Sequence, residues 1–148
     1  MIIKRTITIA ALAAAAWSIA APAGAKDTIT GPVACALTRV TDGDTFRCIA
    51  TPWPDLRVDI SVRPDGFDAP ELRGKCEAEK DAAARAKDQL TRLLAAGAIT
   101  LHNVRLGKYA GRVAADVHVD ATPIAGAMIE SGNARPYTGG GRYTWCGQ

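Results

Sequence analysis

Five carboxylates fall in two short stretches of this chain. Asp42 and Asp44 flank Gly43, and Asp65, Asp68 and Glu71 lie within residues 64–71. Singly, each has a plain structural reading, because Asp-Gly is a turn former and loop carboxylates are commonly just solvated. Brought together they would repel one another, so a hard cation is their natural partner. Calcium accepts about six to eight oxygen ligands in irregular geometry. Arg63 stands immediately before the second acidic stretch, and Arg112 follows Gly107-Lys108-Tyr109-Ala110-Gly111. A guanidinium beside a metal–carboxylate site suits a phosphate substrate, since its planar fork binds two phosphoryl oxygens and stays charged. The structural readings are a strand-end cap for Arg63, a solvated turn for Lys108 and a packing aromatic for Tyr109.

Elements that would position these groups are visible in the patterning. Val33–Val40, Thr45–Ile49 and Leu56–Arg63 read as strands, the first two joined by the Asp42-Gly43 turn, with Pro52-Trp53-Pro54 as a loop. Residues 64–71 are too rich in Pro, Gly and Asp for regular structure. A helix is expected from Glu77 to about Ala96, with Ala78, Ala82, Ala86, Leu90, Leu93 and Leu94 on one face and Gly97 as its cap. Ile99–Leu106 and Val113–Val119 are further strands. Thr122 and Pro123 read as the N-cap and first residue of a second helix ending near Glu130. Residues 26–32 read as a short leader, and the glycine-rich tail 139–146 as irregular. Five strands with a helix after the third predict an α+β, mainly β fold: a five-stranded OB-type barrel with two to three helices.

The chain has 148 residues and a formal charge of +3. Lys4 and Arg5, the apolar run from Ile7 to Ala21 and Ala23-Gly24-Ala25 form a secretory signal, expected to occupy residues 1–25 and leave one domain over 26–148. Pro22 and Gly24 interrupt the run before it reaches the length of a membrane span. Export is therefore expected, to the periplasm or beyond, with no membrane attachment after cleavage. The remainder carries 16 basic and 15 acidic residues, so total charge does not mark it as a nucleic-acid binder. Four cysteines in an exported chain suggest two disulfides, with three possible pairings. There is no C-x-x-C pair, and His102 and His118 fall in strand runs, which disfavours a zinc site.

Four blocks together resemble the staphylococcal nuclease (thermonuclease) family. They are Val40-Thr41-Asp42-Gly43-Asp44-Thr45, Arg63-Pro64-Asp65-Gly66-Phe67-Asp68-Ala69-Pro70-Glu71, Lys108-Tyr109-Ala110-Gly111-Arg112, and the stretch from Ile129 to Tyr137. They occur in family order and cover roughly residues 33–138. The resemblance implies calcium held by Asp44, Asp68 and the Ala69 backbone carbonyl, with Asp42 in the outer shell. It implies Glu71 as general base, Arg63 and Arg112 clamping the scissile phosphate, and Lys108, Tyr109 and Tyr137 contacting the rest of the nucleotide. The activity implied is hydrolysis of DNA and RNA with little sequence specificity, single strands preferred, by a monomer. The chain departs from the family pattern at Ala110, which is inserted, at Gly107, where an aspartate is usual, and after Glu71, where only Leu72–Lys75 precede Cys76. Beside this family, whose prototype lacks cysteines, Cys35–Cys48 and Cys76–Cys146 are the expected disulfides. The alternative is an OB barrel that binds single strands without cutting them.

Overall fold

Apolar residues at alternate positions build a barrel whose inner face carries Phe46, Cys48, Val62, Leu101 and Val117. The computed structural model describes residues 27–147; the expected signal segment lies outside them. In chain order the elements are β1 (Thr28–Ile29), β2 (Val33–Asp42), β3 (Thr45–Trp53), β4 (Leu56–Pro64) and β5 (Gly66–Asp68), then α1 (Glu77–Ala95), β6 (Ile99–Leu106), β7 (Arg112–Val119), β8 (Thr122–Pro123), α2 (Ile124–Glu130) and β9 (Arg135–Tyr137). Strands β2, β3, β4, β7 and β6 pair in that circular order, β6 closing on both β2 and β7. The result is the expected α+β, five-stranded closed barrel of OB type, with two helices. All its neighbours are antiparallel except β4 and β7, which run parallel.

Several local expectations are corrected. Strand β3 runs on through Trp53, which pairs with Leu56, so Pro54 and Asp55 alone make the turn. Asp55 adopts φ 62°, a left-handed conformation that aspartate tolerates better than most residues. The leader contains β1, paired with β6. Residues 66–68 form a strand because β9 supplies their hydrogen-bond partners, and no local pattern announces a strand from 69 residues downstream. In α1 the inward stripe is Glu79, Ala83, Ala86, Leu90 and Leu94, while Ala78 is exposed and Ala82 half-buried. Alanine marks the face of a helix weakly, so the stripe begins one residue later than read. Ala96, not Gly97, is the C-cap of α1. Gly97 is required instead by close approach, since a Cβ there would lie 1.9 Å from the Asp120 carboxylate, whose Oδ1 accepts the Ala98 N–H at 2.8 Å. Thr122 pairs with Val119 in β8, and Pro123 takes the N-cap position of α2 without a side-chain cap.

Both expected disulfides form, Cys35–Cys48 across the β2–β3 hairpin and Cys76–Cys146 from the start of α1 to the tail. Such bonds persist in oxidising surroundings. His102 and His118 stack on adjacent strands with ring centroids 4.5 Å apart, a sheet-face arrangement. Among the described residues no helix is long and apolar enough to cross a membrane.

Candidate functional site

The parallel β4–β7 pair decides where the arginines stand. Arg63 is opposite Ala114 and Arg112 opposite Ser61, so the two arginines are offset by two positions along adjacent strands. Side chains two apart on a strand share a face, which places Arg63 and Arg112 together on one side of the sheet. Both line a cavity of about 320 Å³ with Lys108, Tyr109, Tyr137, Gly140 and Arg142. The Arg112 guanidinium lies over the Tyr109 ring at 4.7 Å, and that of Arg63 faces Tyr137 at 5.8 Å, both cation–π contacts. The turn carrying Lys108 and Tyr109 is closed by hydrogen bonds from Gly107 N–H to the Arg112 carbonyl and from Arg112 N–H to the Tyr109 carbonyl. Tyr137 reaches the cavity because β9 pairs with β5, with Tyr137 opposite Gly66.

Beneath Arg63 lie the carboxylates. Its Nη1 donates to Asp44 and its Nη2 to Asp68 Oδ1 at 2.9 Å, and both aspartates are buried. Burial would lower the Arg63 pKa, but Asp44 and Asp68 outweigh it and hold the guanidinium above its ordinary value. Asp42 accepts the Asp44 N–H at 3.1 Å. Burial, with Asp44 beside it, pushes its carboxyl up to about 6. The hairpin tip packs this closely because of Gly43: a Cβ there would meet Ala86 Cβ at 2.7 Å and Ala69 Cβ at 2.9 Å. Gly43→Ala is therefore expected to cost about 1–3 kcal/mol, as overpacking of a filled site does. Urea unfolding measures this, and a variant as stable as the parent would mean that the tip is free to move off α1.

Two buried side-chain atoms among the described residues lack a hydrogen-bond partner, Asp68 Oδ2 and Arg112 Nε. Buried polar atoms are nearly always satisfied, so an orphan acceptor and an orphan donor at one site point to groups that bind there. Three carboxylates, Asp42, Asp44 and Asp68, stand against the one guanidinium of Arg63. The donor set is all oxygen, over-negative and incompletely satisfied, and it fits a hard cation. Arg63 spans Asp44 and Asp68, so it and a cation would share their oxygens. Ala69, the expected carbonyl ligand, is buried next to Asp68 and against the hairpin tip.

The remaining expected residues are placed differently. Asp65 leaves the acidic group, since both its oxygens accept from Arg105, at 2.6 and 2.9 Å, and its N–H donates to the Ala115 carbonyl. Glu71 is not among the residues around Arg63 and Arg112. It lines a neighbouring cavity with Lys75, Glu79 and the tail, and its carboxylate pairs with Arg142. Among the described residues Arg142 alone lines both this cavity and the one holding the arginines. Sequence reading missed it, because a lone arginine in a glycine-rich tail carries no signal beyond the cysteine four residues later. Among the described residues one group gathers three ligand atoms within 4.8 Å, Cys76, Glu79 and Cys146. Its two sulfurs are spent in a disulfide, so it offers a cation only the Glu79 carboxylate.

No protein-family model matches the chain, and comparison with the curated proteins finds no match either.

Proposed function

We propose that this protein hydrolyses phosphodiester bonds in DNA and RNA with little sequence specificity, as the resemblance to the staphylococcal nuclease family implies. The observation that carries the proposal is the pair of orphan atoms. Arg112 Nε lacks an acceptor in a cavity lined by four cationic side chains and two tyrosines, and Asp68 Oδ2 lacks a partner below it. A nucleotide supplies what the cavity lacks, phosphate oxygens for the guanidiniums and a flat base for the rings. Asp44, Asp68 and the Ala69 carbonyl would hold calcium, with Asp42 outside them orienting its water. Bound there, calcium supplies Lewis-acid polarisation of the phosphate.

The chain's own residues do the rest. Arg63 and Arg112 clamp the phosphate from one face and stabilise the charge that grows on its oxygens, the dominant kind of catalytic help for such a reaction. Lys108 and Tyr109 hold the neighbouring sugar-phosphate, and Tyr137 stacks on a base. Glu71 accepts the proton of the attacking water, directly or through a second water, once Arg142 turns from it. Contacts of this kind grip the backbone and read no bases, which accounts for broad specificity. The product would carry a 3′-phosphate. We place the protein, as a monomer, outside the cytoplasm, where its disulfides persist and single-stranded nucleic acid is the preferred substrate.

A second reading has its own support. Arg63 already pairs with Asp44 and Asp68 and offsets part of their charge, and Arg142 already pairs with Glu71, which suits an OB barrel that binds strands and does not cut them. One experiment separates the two. Single-stranded DNA is incubated with the oxidised protein in calcium, in magnesium alone and in EDTA. Cleavage confined to calcium is expected, and binding without cleavage in all three would establish the binding module.

A further inference from the structure

The tail from Gly139 to Cys146 is built against the site. Cys146 is joined to Cys76 at the head of α1. Tyr137 donates to the Gly140 carbonyl at 2.8 Å, and Tyr143 to the Pro136 carbonyl at 2.7 Å. The Arg135 guanidinium lies 4.4 Å from the Trp145 ring and 5.3 Å from that of Tyr143. These contacts tie the segment to β9, the strand that carries Tyr137 into the cavity. At the middle of the strapped segment, Arg142 lines the cavity of Arg63, Lys108 and Arg112 and also meets Glu71.

We infer that Arg142 is a substrate-binding residue, which grips a strand phosphate beyond the one held by Arg63 and Arg112 and is kept at the site by the Cys76–Cys146 bond. This rests on the reading of the cavity as a nucleic-acid site. The Arg142–Glu71 pair is half-exposed on both sides, and a pair of that kind biases a side chain by no more than about fivefold. An arriving phosphate therefore competes for Arg142 on easy terms. Its departure from Glu71 leaves that carboxylate free at the moment substrate is bound. The disulfide matters because it closes a long loop: residues 76 and 146 are 70 apart in sequence, and without the bond the short tail would hold its arginine at the site only through exposed contacts.

The test is binding of fluorescent single-stranded octathymidylate by the oxidised protein in EDTA, where nothing is cut, over a series of salt concentrations. Each phosphate neutralised on a single strand contributes about 0.7 to the slope of log affinity against log salt. Arg142→Gln is expected to lower the slope by about 0.7 and weaken binding about fivefold at low salt. Arg142→Lys, which keeps the charge, is expected to retain the slope. The paired Cys76→Ser, Cys146→Ser variant is expected to lose as much as Arg142→Gln, with the tail freed. A merely structural role would change affinity and leave the slope alone. An Arg142→Gln slope equal to that of the parent overturns the assignment and leaves the nucleic-acid reading standing. Failure of the parent itself to bind overturns both.

Discussion

Glutamine in place of Glu71 is expected to slow phosphodiester hydrolysis by roughly 10²- to 10⁴-fold, the range a positioned general base contributes. The substitution keeps size and polarity and removes the ability to take a proton at neutral pH. Stability is expected to change by less than about 1 kcal/mol, because Glu71 and its partner Arg142 are each about half exposed and solvent screens such a pair. Strand affinity is expected to hold or rise slightly, since Arg142 loses its competing carboxylate. Single-turnover cleavage at saturating enzyme reads the first effect, and the salt-dependent binding assay reads the second. Turnover within about threefold of the parent would remove Glu71 from the base role, and its place in the neighbouring cavity would then be its whole function. The prediction is sharp because Glu71 is not packed among the arginines: its loss disturbs no buried network.

Arg63→Met is the opposite case, a change whose first effect is on the fold. Arg63 is 15% exposed and holds Asp44 and Asp68, which are 10% and 1% exposed at their side chains. Removing one partner of a buried ionic group leaves uncompensated charge and costs about 3–5 kcal/mol, far more than the pair itself is worth. In EDTA the variant is therefore expected to unfold at markedly lower urea. Calcium should restore a large part of the loss, because a ligand that binds only the folded state stabilises it by mass action, and a cation would replace the missing positive charge. The parent should gain less, because Arg63 already offsets part of the charge on its carboxylates. Cleavage by Arg63→Met in calcium is expected to fall about 10²- to 10³-fold, as when one preorganised donor to the reacting oxygens is lost. A variant as stable as the parent in EDTA would show that the guanidinium does not hold the two aspartates together. Destabilisation without rescue by calcium would leave the bridge standing and remove the cation site.

The two variants also separate the parts of the site. Glu71 is half-exposed beside the tail, so the loss of this proposed base should appear chiefly in the rate and hardly in stability. Arg63 sits where fold and chemistry coincide, so its loss should appear in both. In the proposed mechanism one guanidinium clamps substrate and, in its absence, holds Asp44 and Asp68 together, and a cation would take over part of that second task.

By itself the sequence determined what could be written locally. Apolar alternation in Ile99–Leu106 set a strand that the structure keeps to the residue, and the Asp42-Gly43 pair marked the first hairpin, although Asp42 belongs to β2 and the turn residues are Gly43 and Asp44. The cysteine count called for two disulfides but left three pairings open; the pairing expected beside the family resemblance is the one that forms, Cys35 bonding diagonally across the hairpin to Cys48, which stands opposite Leu37. The sequence also singled out Asp44, Asp68, Arg63, Arg112, Lys108, Tyr109 and Tyr137 as candidates, and the structure joins Asp44 and Asp68 to Arg63 and sets Arg112, Lys108, Tyr109 and Tyr137 around one cavity with it. Tertiary structure alone decided the rest, because each remaining fact depends on partners far apart in the chain. Strand 66–68 exists only because residues 135–137 lie beside it. Asp65 is withdrawn from the acidic group only because Arg105 comes to it from β6. Arg63 and Arg112 share a face only because the β4–β7 register sets Arg112 opposite Ser61, two residues from Arg63. Arg142 lies at the cavity because the tail folds back, tied by the Cys76–Cys146 bond and by contacts to β9. Local sequence carries torsional preference and polarity over a few residues, whereas the cancellation of buried charge is settled by whatever the folded chain brings within a few ångströms.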